Sequence, residues 1–205
     1  MSLKVAVNGA LTAITALPTA AALTDGNLTL LTTATASSSA TLTFDSNINS
    51  TYNSYLFKFI DIHPATDGAH FQVNFRDGST DYDATKTTTF FRAYHTEGAS
   101  SGLEYRTADD LAQSTSAQGI GKTVGNGNDE CCSGILHLFD PSSTTFVKHF
   151  ISTVNVYENG DATHNHNVAG YCNVTAAIDG VQFSFSSGNI DAGTIKMYGV
   201  GPKQS

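Results

Sequence analysis

Residues 55–62 read Tyr-Leu-Phe-Lys-Phe-Ile-Asp-Ile, or YLFKFIDI. Successive side chains of an extended strand point to opposite faces. Tyr55, Phe57 and Phe59 therefore share one face, and Leu56, Ile60 and Ile62 share the other. A segment this apolar on both faces predicts a central strand. His63-Pro64 ends it, because proline has no amide proton to give to a ladder.

The same rhythm continues outward from this stretch. Residues 70–76, HFQVNFR, alternate strictly and turn Phe71, Val73 and Phe75 inward, and Asp77-Gly78 follows as a turn. Further strands are expected at 28–33, 40–44, 87–94, 135–139, 146–157, 168–178, 181–185 and 194–200. Asp140-Pro141 and Asn159-Gly160 separate some of these, and Asp179-Gly180 predicts a hairpin between two of them. In the last strand Ile195, Met197 and Gly199 oppose Lys196 and Tyr198, a pattern suited to pairing onto a sheet and covering its edge. Residues 97–133 show little periodicity and read as a long connection with one helical turn around 108–112. A connection of that length suits a contact between copies. Many strands, dense turn chemistry and no convincing helix predict an all-β fold, an antiparallel β-sandwich of jelly-roll type.

Composition agrees and narrows the function. Only 14% of the 205 residues are charged while 40% are hydrophobic, so Thr, Ser, Asn and Gly carry much of the solubility. The net charge of −8 and the absence of any Lys/Arg cluster argue against nucleic acid as a partner. No apolar run approaches the ~20 residues that cross a bilayer, so a membrane is not expected either. Residues 1–26 are rich in Ala and Thr and end in an Asp25-Gly26 turn. Asn8, Gly9 and several threonines break their apolar run, which favours an N-terminal arm or docking segment over a signal peptide. Residues 27–205 form the expected sandwich domain. Of the three cysteines, either Cys131 or Cys132 could bridge Cys172, since adjacent residues would need a strained ring; three reduced thiols are the simpler expectation.

Each patch with chemical potential has a plainer reading. His164-Asn165-His166 would direct both rings to one side of a strand, as metal ligands require, yet it follows a turn and no third ligand is fixed by spacing. Asp77, Ser79, Asp81 and Asp83 alternate like a calcium loop, but Tyr82 stands where that loop needs glycine. The 126–130 patch, NGNDE, is oxygen-rich in the manner of an acidic turn. Gly121-Lys122-Thr123 resembles the end of a phosphate loop, with Ser116 in place of its first glycine. The triplets starting at Asn27, Asn49 and Asn173 match the glycosylation pattern, as chance predicts for a chain rich in Asn and Thr. Asp109-Asp110 lacks the separation a glycosidase pair needs, and no serine sits in Gly-x-Ser-x-Gly. No catalytic, cofactor or metal residue is assigned, and no enzyme or cofactor is expected.

Three stretches carry a resemblance. They are residues 55–67 (YLFKFIDIHPATD), 136–150 (LHLFDPSSTTFVKHF) and 187–199 (SGNIDAGTIKMYG), joined by 91–95 (FRAYH). Together they resemble a family of small virion proteins of tailed bacteriophages, especially marine ones. The likeness runs from Leu28 to Val200 and leaves out the first 26 residues; Cys131-Cys132 departs from the small polar residues expected there. The resemblance implies a structural protein of the virion, assembled in the bacterial cytoplasm, and it carries no catalytic or binding residues. A compact domain without a shaft of repeats predicts a head decoration or cement protein, homotrimeric, whose N-terminal segment contacts other virion proteins. A tail-fibre or receptor-binding module that contacts host surface glycans through exposed Tyr and Asn is the alternative. A polysaccharide-degrading enzyme is a third reading.

Overall fold

A computed structural model describes residues 28–201, and the arm expected at 1–26 lies outside them. The described residues form twelve antiparallel strands and no helix. In chain order these are β1 (Leu28–Thr35), β2 (Thr41–Phe44), β3 (Ser54–Pro64), β4 (Ala69–Arg76), β5 (Lys86–Thr96) and β6 (Ser101–Tyr105). The second half supplies β7 (Gln118–Val124), β8 (Cys132–Phe139), β9 (Lys148–Glu158), β10 (Ala162–Cys172), β11 (Gly180–Phe185) and β12 (Ile190–Val200).

Pairing divides them into two layers. One has eight strands in the order β1-β12-β3-β8-β9-β10-β5-β6, and the other has four, β7-β4-β11-β2. The chain switches layers repeatedly, from β1 to β2, β2 to β3, β3 to β4, β4 to β5, β6 to β7, β7 to β8, β10 to β11 and β11 to β12. That alternation is the jelly-roll signature. A single pairing, Val124 with Glu158, joins the layers at one corner and nearly closes them into a barrel.

Between the layers lies an aromatic core. Phe183 of β11 is fully buried, with its ring centroid 5.1–6.0 Å from those of Phe44, Phe57, Phe59 and Phe71. Edge-on and offset arrangements of this kind add to the gain from burial alone. Tyr55 is buried as well, and its hydroxyl donates to the Asn49 carbonyl at 2.8 Å, which satisfies the one polar atom it brings inside.

Several expectations need correction. The stretch 97–133 is not a free connection: it contains β6 and β7, and Ile120 and Val124 are in the core. Its central segment closes a turn, with the Asp109 amide donating to the Arg106 carbonyl at 3.0 Å, and no helical turn forms. Asp179-Gly180 does not close a hairpin, because β10 and β11 belong to different layers. Asp179 instead accepts from Arg76 Nε at 2.8 Å. The strand expected at 168–178 begins at Ala162 and ends at Cys172, so both histidines of the H-x-H pair lie within it. β12 covers the edge of β3 but is not itself an edge; β1 pairs onto its far side.

In β3 the alternation slips at Asp61, whose φ of 51° is the left-handed value of a bulge. The slip moves Ile62 to the buried side with Tyr55, Phe57 and Phe59. Gly193 on the neighbouring β12 faces this bulge at φ 114°, where a Cβ would sit 2.5 Å from the Asp61 carbonyl oxygen; only glycine fits there. Among the described residues no layer covers the far side of β3.

Candidate assembly face

The outer surfaces of the two layers differ in kind. On the four-stranded layer, inward residues such as Phe71, Val73, Phe75, Val181 and Phe183 alternate with Gln72, Asn74, Gln182, Ser184, Thr41 and Thr43. This is the usual arrangement of a sheet with one wet side. The eight-stranded layer breaks that pattern. Cross-strand pairing aligns Leu30, Tyr198, Leu56, His137, Ile151 and Ala169 in one row. The neighbouring row runs Lys196, Lys58, Ile135, Thr153, Asn167, Phe91 and Tyr105. Beyond the first row lie Leu28, Val200, Ser54 and Phe139; beyond the second lie Ser133, Asn155, Asn165, Ala93 and Leu103.

Of the eight large hydrophobic side chains exposed among the described residues, seven lie in these rows, and Phe146, in the loop before β9, is the other. Leu103 is 75% exposed and Ile151 53%. In a chain of net charge −8, none of these positions is Asp or Glu, and the cations are Lys58 on β3 and Lys196 on β12. At the opposite end Tyr105 donates its hydroxyl to Asp110 at 2.6 Å. His137, in the middle, packs on Phe139 with ring centroids 4.0 Å apart, and its Nε2 is buried without a partner. Burial lowers its pKa, so the neutral ring is favoured.

Behind this face, where β5, β6, β10 and β7 meet, is a chain of ion pairs. Arg92 pairs with Glu104, Arg106 with Glu104 at 3.4 Å and with Asp109 at 2.9 Å, and Lys122 with Asp109 at 2.8 Å. Burial pushes the Asp109 carboxyl up, but Lys122 and Arg106 outweigh it and hold the group below its ordinary range. His164 and His166 do point to one side of a strand, with ring centroids 5.5 Å apart. The backbone amide of Lys122 donates to His166 Nδ1 at 3.2 Å, and Arg92 lies 3.3 Å from His164 Nδ1. With one nitrogen of each ring engaged and two cations beside them, the pair is poorly suited to a metal ion. Among the described residues no His, Cys, Asp or Glu completes a ligand group. Burial, reinforced by His164 and Arg92, drives the His166 pKa down to about 3.

The remaining candidate residues are dispersed. In the 77–83 loop Ser79 Oγ and the Asp81 backbone bond to each other, at 3.1 Å in each direction, as in an ordinary turn. Glu130 folds back to accept from the Gly127 amide. Lys122 lies in β7 and is committed to Asp109, so Gly121-Lys122-Thr123 is part of a strand and not a phosphate cradle. Asp109 and Asp110 serve different partners, the first Lys122 and Arg106, the second Tyr105. Asn27 lies outside the described residues, and the Asn49 and Asn173 side chains are both hydrogen-bonded, to the Thr51 amide and to Gln113. All three cysteines are free thiols.

Sequence reasoning missed two lysines. Lys86 and Lys148 are fully buried and flank Cys172 in register on either side of β10. Lys86 Nζ donates to Ala84 O at 2.7 Å and to the Asn74 side chain; Lys148 Nζ donates to Val174 O at 2.8 Å and Ser143 O at 3.0 Å. The signal was their inward phase, Lys86 with Thr88 and Phe90, and Lys148 with Phe150. These ammonium groups tie loops to the barrel end. Compared with known proteins, the chain matches no family model, no curated protein and no solved structure.

Proposed function

We propose that this chain is a non-enzymatic structural protein of a bacteriophage particle, a head decoration or cement protein that works as a homotrimer. The observation that carries the reading is the outer face of the eight-stranded layer, which gathers seven of the eight exposed large hydrophobic residues and keeps its carboxylates, Asp61 and Asp110, at its borders. Exposed apolar area of that kind marks a surface that is covered in the working state. The virion assignment draws on the resemblance of the quoted stretches to small phage virion proteins, and the charged groups behind the face are already paired with one another. In this arrangement the sandwich is the repeated block and residues 1–26 make the contact with the particle.

The test is reconstitution. Purified full-length protein added to heads that lack it should bind to saturation, and antibody labelling of intact virions should fall on the capsid. Protein without residues 1–26 should keep its β-sheet circular dichroism and lose binding. Labelling confined to the tail would refute the decoration role, and undiminished binding by the truncated protein would refute the docking role of the arm.

A further inference from the structure

We infer that the outer face of the eight-stranded layer is covered by further copies of this same chain, with Ile151 near the centre of the contact. The inference rests on the proposed role as an assembling block and names the partner of its exposed face.

Area is the first argument. At roughly 200 Å² for a large side chain, the exposed fractions of the seven apolar residues amount to about 700 Å². These residues are spread from β1 to β6 with Lys, Thr and Asn between them, so the sum is the apolar share of the whole face. It is close to the ~800 Å² that each partner contributes to a stable interface.

The second argument is charge. Interface cores are depleted in charged residues, while their rims are polar. Here Lys58 and Lys196 lie on β3 and β12, just inside the β1 edge that carries Leu28 and Leu30, and Asp110 borders the β6 end beside Tyr105. A second copy laid with its β6 end over the two lysines brings Asp110 to Lys58 and Lys196, and seats Phe91 and Tyr105 against the aliphatic row. The surface therefore contains both halves of a complementary contact, which a closed symmetric assembly uses. The central His137 suits the same arrangement, since its neutral ring can be buried among Leu56, Ile151 and Phe139.

The experiment measures the mass of the full chain in solution by light scattering on a sizing column, at micromolar concentrations. The wild type should elute as a discrete oligomer. Ile151→Lys places a charge at the centre of the contact while remaining a surface change for the folded monomer, so it should weaken association about a hundredfold or more. Circular dichroism should be unchanged. Thr41→Lys, on the polar face of the other layer, should leave the oligomer intact. A wild-type protein that stays monomeric overturns the inference, and so does an Ile151→Lys protein that retains the full oligomeric mass. The two readings can fail separately. An oligomer held by this face that never binds particles refutes the virion role alone; a monomer that decorates heads refutes the self-association and the trimeric state while leaving the virion role standing.

Discussion

Replacing His166 by asparagine should flatten the acid sensitivity of the fold. The His166 ring is fully buried against Phe90, with its Nε2 unpartnered, and its pKa falls from the ordinary 6.5 to about 3. A base whose folded pKa is lowered binds its proton more readily in the unfolded chain. Stability is therefore complete above pH ~6.5 and is lost progressively as the pH falls from there to about 3. The slope for one proton is about 1.4 kcal/mol per pH unit, so between about pH 7 and pH 4.5 this single group removes roughly 2.5 kcal/mol. Asparagine retains an acceptor near the Nδ1 position for the Lys122 amide but cannot titrate. The variant should start lower at neutral pH, by about 1–3 kcal/mol for lost packing. It should then lose about 2.5 kcal/mol less than the wild type on acidification, because His70, His137 and His164, whose pKa values are also lowered, titrate in both proteins. Urea unfolding, followed by circular dichroism and by fluorescence of the eight tyrosines at one fixed protein concentration, provides the comparison. Parallel losses of stability in the two proteins would refute the reasoning.

Two further outcomes follow from the core and the thiols. Phe183→Ala removes the ring packed among four other phenylalanines and should cost about 4–5 kcal/mol, whereas Phe185→Ala, whose aromatic neighbour is Phe71 alone, should cost about 2–3 kcal/mol; denaturant midpoints in the reverse order would contradict this view of the core. Burial raises the pKa of all three thiols, and Cys172 is pushed up to about 12, so an aromatic disulfide reagent should modify only half-buried Cys131 in the native protein, slowly, and all three after unfolding. Rapid native labelling of Cys172 would mean that β10 does not seal that side of the barrel.

Legibility in the sequence followed the chemistry of each strand. β3, β4, β11 and β12 were readable because their inward positions are aromatic or aliphatic, and period-two alternation is visible only when one phase is apolar. β10 was placed six residues late because His164 and His166 occupy its inward phase; the pattern is regular, but polar side chains fill it. β7 escaped for a related reason, since Gln118, Gly119 and Gly121 are buried beside Ile120 and carry no hydrophobic signal. The Asp179-Gly180 turn was misread because turn chemistry reports a local bend and not which strand lies opposite. Layer membership is set by long-range pairing, and the Arg76–Asp179 contact that fixes this corner spans 103 residues. The buried lysines had only their inward phase as a signal, and phase alone does not show that carbonyl oxygens converge to receive them.

YLFKFIDI forms the central strand its pattern predicts, between β12 and β8, and among the described residues a layer covers one of its two faces. Tyr55, Phe57 and Phe59 face the four-stranded layer, while Leu56 and Ile60 remain only partly shielded by their neighbours in the sheet. The apolar residues on its other face have a physical reason if a second cover comes from outside the described residues. Antiparallel sheets that face water alternate polar with apolar, and the four-stranded layer of this same molecule does so along β2, β4 and β11. Two-sided hydrophobicity in β3 is thus best explained as one feature with two consequences. One face holds the sandwich together, and the other makes the finished sandwich a unit of something larger, which is why the Ile151→Lys result bears on the fold as much as on the function.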